Sequence, residues 1–314
     1  MKVVALAGGV GGAKFAHGLA QILQPEELTV VVNTGDDFEQ FGLFISPDLD
    51  TVCYTLAGIA NPDTGWGRND ESWRVLAEIR TLGGPDWFNL GDLDLATHIM
   101  RSFYLKEGAA LSQITRRFCQ AWGIQNRILP MTDDRVPTII LTQDGRTLSF
   151  QDYFVHLKCE PAVEGFRFDG MEDAKPADGV LEAIHEAELV IICPSNPWVS
   201  IQPILGVPGM RENLADKRII AISPIIGGRA VKGPAAKMYA ELGFSPSALA
   251  VAETYRGLIS ALVVDQVDAD QASQMNGWGI MTLITDTIMK DVPDRGRLAR
   301  EVLQFYTARL LGEC

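Results

Sequence analysis

Four aspartates fall within fifteen residues near the start of the chain: Asp36 and Asp37 in VVNTGDD (31–37), Asp48 and Asp50 in PDLDT (47–51). They follow a glycine-rich opening, MKVVALAGGVGG (1–12), with Gly8, Gly9, Gly11 and Gly12. Glycines between an apolar run and a helical pattern let the backbone approach an anion, and free N–H groups at the helix start attract phosphate. Carboxylates are hard oxygen ligands that hold Mg²⁺, and Mg²⁺ neutralises phosphate oxygens. Together they predict a diphosphate-bearing ligand with Mg²⁺ beside it. Neither the G-x-G-x-x-G nor the G-x-x-x-x-G-K-[ST] pattern is met; Lys14 stands where the last glycine of the first would be. The competing readings are structural: a tight strand-to-helix turn, and Asp50 as N-cap of a helix over 52–59.

The elements that must position these groups are legible as apolar runs. Residues 3–7 and 28–33 read as buried strands, with a helical pattern over 13–23 between them. The second strand ends in Asn33, Thr34 and Gly35, just before the first acidic pair. Two strands, each followed by a loop of ligand-type residues, predict an open parallel sheet with its ligand outside the carboxyl ends of the strands.

The chain has 314 residues, of which 47% are hydrophobic and 21% charged, an ordinary globular composition. Its formal charge of −13 argues against general nucleic-acid binding, which needs a basic face. It leaves room for an anionic small ligand beside a metal. The five cysteines (53, 119, 159, 193 and 314) form no C-x-x-C pair, so a reducing, cytoplasmic setting is expected. No secretory leader or membrane-spanning run is read.

Further along, Trp66 sits between Gly65 and Gly67 in a turn-rich loop, placed either to stack on a planar ring or to pin the loop to the body. Asn69 or Asp70 is expected to cap a helix running to about residue 82. Asn89, Leu90, Gly91 and Asp92 form a turn, and Asp92 or Asp94 caps the next helix. His98 and Arg101 share one face of that helix at i, i+3. Arg101 suits a phosphate by bidentate contact, with a solvated charge as the alternative. A helix over 111–122 reads as packing. Residues 138–142 and 147–150 read as a β-hairpin, with 151–157 continuing in the same style and 160–178 lacking any periodic pattern. Strand runs resume at 189–193, 218–222, 259–265 and 279–283, with helical patterns at 180–187 and 294–311. The first of these strands ends in Pro194, Ser195, Asn196 and Pro197; the second in Ser223, Pro224, Ile225, Ile226, Gly227 and Gly228, with Lys232 close behind. Rigid loops of this kind hydrogen-bond a base or phosphate, and Lys232 could meet a phosphate.

The expected fold class is α/β: a Rossmann-like, mostly parallel sheet with helices on both faces and a small antiparallel β insertion. Its expected divisions are a first core part (1–134), a β-rich insertion (135–178) and a second core part (179–314).

Taken together the motifs resemble the 2-phospho-L-lactate transferase (CofD) family over nearly the whole chain. The resemblance rests on LAGGVGGAKF (6–15), VVNTGDD, PDLDT, GWGRND (65–70), LGDLDLATHIMRS (90–102), LPMTDD (129–134), PSNPWVSIQPIL (194–205), SPIIGG (223–228) and KGP (232–234). It implies a cytoplasmic, homodimeric enzyme of coenzyme F-420 biosynthesis. Such an enzyme joins the deazaflavin alcohol Fo to a phospho-organic acid (lactyl, enolpyruvyl or glyceryl) from a guanosine diphosphate diester, releasing GMP. Carried over by motif, Asp36 and Asp50 would hold Mg²⁺ and act in catalysis, with Asp50 near the ribityl chain of Fo. The Gly8, Gly9, Gly11 and Gly12 turn would face the diphosphate. Trp66 and the Asn89, Gly91 and Asp92 turn would line the Fo side; Ser195, Asn196, Gly227 and Gly228 the guanosine side. The matched motifs add Lys14, Asn33, Asp37, Asp48, Thr51, His98, Arg101, Asp133, Pro224 and Lys232 as substrate-binding candidates. The chain carries Leu93 where many members carry arginine, and Arg68 or Arg101 is expected to compensate.

Two other readings share parts of this pattern. A nucleotide-sugar-binding regulatory protein has a similar glycine turn and fold without transferase activity. A nicotinamide dehydrogenase rests only on the strand–glycine–helix start, and Asn33 stands where a ribose-binding acid is expected.

Overall fold

The structure, a computed structural model, describes residues 1–311, so Cys314 and the end of the 179–314 segment lie outside the described residues. Seven short apolar segments build the central sheet: β1 (Val3–Ala7), β2 (Leu28–Val32), β3 (Arg127–Pro130), β4 (Leu189–Ile192), β5 (Ile219–Ile222), β6 (Ala261–Asp265) and β7 (Met281–Thr285). Every neighbouring pair is parallel, in the order β3-β2-β1-β4-β5-β6-β7. β1, β4 and β5 are apolar at every position because both faces are covered. On β1, Val4 and Leu6 enter one core, and Val3, Ala5 and Ala7 enter the other. β4 repeats this division with Val190 and Ile192 against Leu189 and Ile191.

One face is covered by α1 (Gly9–Ala20), α2 (Pro47–Leu56) and the helix Val292–Phe305. The other is covered by Val180–Glu186 and the helices that follow β4 and β5. Beside the first face lie α3 (Arg74–Thr81), α4 (Asp92–Lys106) and α5 (Leu111–Ala121). A hairpin, Phe38–Gln40 with Leu43–Ile45, follows β2 and packs on α4. A three-stranded antiparallel sheet has Thr138–Thr142 at its centre, flanked by Thr147–Ser149 and Val163–Phe168.

The strand order turns back between β1 and β4: the chain leaves β1 outward to β2 and β3, then returns to β4 on the other side. Ligands of open α/β sheets occupy the crevice at the strand ends of such a reversal. Gly8 and Ser195 stand on its two sides.

Several expectations are corrected. The glycine turn belongs to the helix: α1 starts at Gly9, four residues before the expected start. PDLDT is not a loop but the first turn of α2, with Ser46 at the N-cap and Pro47 at the first helical position. Asp50 is therefore inside the helix and does not cap it. α3 starts at Arg74 with Trp73 at its N-cap, and Asp70, with a left-handed backbone (φ 53°), stands outside it. Residues 152–156 form a wide helical turn where β structure was expected, and the patternless stretch after 160 holds the strand Val163–Phe168. That strand escapes notice because its apolar alternation slips phase at Gly165, between Val163 and Phe166, where the pairing with Thr142 and Leu141 is irregular.

Candidate functional site

All four carboxylates are buried, as are Asn33 and Thr51. Asn33 organises the first pair. Its side-chain NH₂ donates to Asp36 Oδ1 (3.0 Å), Asp48 Oδ2 (2.9 Å) and the Val199 carbonyl (3.3 Å). The Gly35 N–H donates to Asn33 Oδ1 (2.8 Å), which fixes the amide with its donors toward the acids. From the antiparallel sheet's side, Gln151 Nε2 donates to the Asp36 carbonyl (3.3 Å) and to Asp36 Oδ2 (3.4 Å).

The second pair is tied to α4. Arg101, only 1% exposed, grips Asp50 with both terminal nitrogens, Nη2 on Oδ1 and Nη1 on Oδ2 (3.1 Å). His98 Nδ1 lies 3.7 Å from Asp50 Oδ2, and His98 Nε2 lies 3.5 Å from Asp94 Oδ1. The Tyr54 hydroxyl donates to that same Asp94 oxygen (2.7 Å). Arg101 and His98 thus hold Asp50 from beneath and are not presented to a phosphate, as the sequence had suggested for Arg101. Asp50, Asp94 and His98 also come close enough to share a metal ion, with Arg101 and Tyr54 donating hydrogen bonds to the same two carboxylates.

Burial pushes Asp36 well above the usual carboxylate range, with the charges of Asp48 and Asp37 adding to it. Burial also lifts Asp37, against the Ser46 hydrogen bond and the Arg101 charge. Asp48 is pushed up to about 6 by burial, opposed by Asn33 and the Gly9 N–H. Asp50 is raised by burial in spite of Arg101 and His98. Burial works against Asp94 too, but His98, Tyr54 and Arg101 outweigh it and hold it low. Asp37 feels Asp50, and Asp36 feels Asp37, so it links the two pairs electrostatically. Its Oδ1 is buried without a hydrogen-bond partner. A set of buried oxygens short of positive charge, with one oxygen unsatisfied, fits a hard divalent cation.

The glycine turn faces these acids. A Cβ on Gly8 would sit 2.5 Å from Asp48 Oδ2, and one on Gly11 would sit 2.3 Å from the Pro194 carbonyl oxygen. Ser195 latches the two sides of the crevice, accepting from the Gly8 N–H (3.1 Å) and donating to the Gly8 carbonyl (2.8 Å). Asn196 accepts from the Trp198 N–H (3.0 Å) and so caps the turn after β4. Gly227 donates to Asp268 Oδ2 (2.9 Å), which holds the loop bearing Pro224 and Gly228. Lys232 reaches the Thr64 carbonyl (2.6 Å), tying that loop to the one that carries the half-exposed Trp66. Lys14 donates to the Met289 carbonyl (3.1 Å).

Other expected site residues serve helix ends. Asp92 accepts from Ser72 and from the Val75 N–H (3.2 Å) at the start of α3. Asp133 is exposed and binds the Ser112 N–H (2.6 Å) and hydroxyl (2.9 Å) at the start of α5. Asn89 lines a cavity of about 340 Å³ with Trp73, Leu76, Ala77 and Arg80, which contains none of the four carboxylates. Gly91 caps α4 and lies against Glu71, whose carboxylate receives the N–H groups of Leu93 and Asp94 (both 2.8 Å). Glu71 and Gln151 escaped sequence reading; Glu71, in the first turn of an expected helix, was the one with a signal. Arg68 lies over the rings of Tyr54 (5.6 Å) and Trp122 (5.9 Å).

A profile of the family described as 2-phospho-L-lactate transferase CofD matches residues 3–286. The chain belongs to this family. Among curated CofD-type relatives, a phosphoenolpyruvate transferase of Streptomyces coelicolor is 45% identical over 310 residues, covering 96% of this chain and 97% of that protein. One of Thermobifida fusca is 47% identical over 283 residues, covering 86% and 88%. A 2-phospho-L-lactate transferase of Methanocaldococcus jannaschii is 39% identical over 306 residues, covering 96% and 97%. The crystal structure of a UPF0052 family member from Bacillus halodurans superposes with a TM-score of 0.63 at 15% identity, covering 96% and 98%, and shows the shared fold. Among the described residues of this CofD family member, no helix is long and apolar enough to cross a membrane.

Proposed function

We propose that this protein transfers a phospho-organic acid from a guanosine diphosphate diester to the ribityl hydroxyl of the deazaflavin Fo, releasing GMP. The observation that carries the reading is the set of four buried carboxylates facing a glycine turn at the sheet's strand reversal. Relatives of both acid types, 39–45% identical over almost their full length, support it.

Group transfer at phosphorus needs positioning and charge neutralisation more than covalent help. The acceptor oxygen bonds to the phosphorus that carries the organic acid. The bond from that phosphorus to the bridging oxygen breaks, and the electron pair leaves on GMP. The hydroxyl proton passes to Asp36 or Asp50, whose burial raises their proton affinity. Arg101 and His98 keep Asp50 in one orientation while this happens. Asp36 and Asp50, with the unsatisfied Asp37 Oδ1 between their electrostatic fields, would hold Mg²⁺. Bound there, it would neutralise the oxygens of the diphosphate. The protein is expected to act as a homodimer in the cytoplasm.

The deciding experiment is turnover with Fo, Mg²⁺ and each of the three guanosine donors, read by mass spectrometry for deazaflavin product and GMP. Asp50→Asn keeps an acceptor for Arg101 and should lose turnover by at least about a hundredfold while melting as a folded protein. Full activity of that variant at saturating Mg²⁺ would remove Asp50 from the mechanism. Absence of product from every donor would remove the function.

A further inference from the structure

The acids occupy one side of the glycine turn; three cations without a carboxylate partner occupy another. They follow α1 at successive turns. A Cβ on Gly65 would meet Val10 Cγ1 at 2.7 Å and Lys232 Nζ at 3.4 Å, so Lys232 stands over Val10. Lys14 is four residues on, and His17 three more. Arg295 Nη1 lies 3.4 Å from His17 Nδ1. Positions 10, 14 and 17 share one helix face and span about 10 Å. Among the described residues the three cations have neutral partners: Lys232 the Thr64 carbonyl, Lys14 the Met289 carbonyl, Arg295 the His17 ring. Arg295 Nε is buried with no partner at all.

This arrangement is costly in isolation. Burial lowers Lys14, and the charges of Arg295 and Lys232 lower it further. Burial also lowers Arg295, against the charge of Asp291. Asp291 acts on Arg295 only through its charge; among the described residues no carboxylate makes an ion pair with any of the three. An anion arriving from solution would satisfy all three.

We propose that Lys232, Lys14 and Arg295 form a track for a small polyanion that bears both phosphate and carboxylate, running along α1 away from the glycine turn. The proposal rests on the transferase reading for the identity of that anion, the phospho-acid end of the donor. Phosphate lies at the Lys232 and Lys14 end, near the turn. The carboxylate lies at Arg295, whose planar guanidinium suits it.

The test is calorimetric titration of the full-length protein with inorganic pyrophosphate, phosphoenolpyruvate and GMP. Arg295→Gln should weaken phosphoenolpyruvate by about tenfold and leave GMP within about twofold, and Arg295→Lys should recover part of the loss. Lys14→Gln should weaken both phosphoenolpyruvate and pyrophosphate. If Arg295→Gln melts early, Lys14→Gln and Lys232→Gln carry the test, the latter at an exposed position. Unchanged affinities in folded variants overturn the track; equal weakening of GMP by Arg295→Gln overturns the carboxylate assignment. Anion binding that depends on these cations, with no transfer product from any guanosine donor, would refute the proposed function and leave the track standing.

Discussion

Replacing Arg101 by methionine removes the one guanidinium that pairs with Asp50. Asp50 is 5% exposed and Arg101 1%, so neither group has water to fall back on. Two N–H···O bonds disappear, and the nearest remaining ring nitrogen, His98 Nδ1, is 3.7 Å from the carboxylate. Breaking a buried pair from one side costs about 3–5 kcal/mol, because the other charge stays behind. For a chain of this size that is roughly 6–10 °C in Tm, at ~2 °C per kcal/mol. The sign with pH also follows. Asp50 is already raised by burial, and losing Arg101 raises it further, so the folded variant holds a proton that the unfolded chain releases above pH ~4. Stability of Arg101→Met should therefore climb as pH falls from 8 toward 5, more steeply than in the parent. The assay is urea unfolding across that range on the parent, Arg101→Met, Asp50→Asn and the double variant. The double variant should be more stable than the sum of the singles by about 2 kcal/mol or more. Additive losses, or a loss under ~1 kcal/mol in Arg101→Met, would refute the picture of a buried pair holding Asp50.

Two further outcomes are expected. Gly11→Ala sets a Cβ 2.3 Å from a backbone carbonyl oxygen, which cannot yield as a side chain would. It should cost about 1–3 kcal/mol in chemical unfolding and weaken diphosphate binding, and a neutral result would show that the crevice has slack. Mg²⁺ should raise Tm more at pH 7.5 than at pH 5, because Asp48, with its value near 6, and the raised Asp36 and Asp37 are charged only toward the higher pH. Without the ion the order reverses: these folded-state values lie above the unfolded ones, so metal-free stability falls as pH rises through about 6. A pH-independent Mg²⁺ shift in thermal melts would place the ion elsewhere.

The parallel sheet was legible because its central, doubly covered strands are apolar at every position, and runs such as 189–192 and 219–222 have few other uses. The helix starts were less so. Four glycines in five positions at 8–12 argue against a helix on propensity, yet α1 begins among them, since only glycine fits against Asp48, Ser200 and Pro194 there. Pro47 was a helix-start signal that the acidic pattern of PDLDT obscured. The acids themselves stood out in the sequence, as did the shared face of His98 and Arg101. What the spacing could not tell is which way that face turns: it looks inward to Asp50 because the hairpin and α2 close over it. Gln151 lies more than a hundred residues from Asp36, and no local pattern connects them.

Asn33 has a consequence for turnover. A protein that places acids side by side commonly separates them with lysine or arginine, and such a cation never leaves. Here the spacer between Asp36 and Asp48 is a neutral amide, locked by Gly35 so that it offers only hydrogens. It steadies two like charges without cancelling either. Asp36 and Asp48 are therefore left short of positive charge, which the Mg²⁺ proposed above would supply. A fixed cation at Asn33 would give a more stable protein and a site with nothing left to attract.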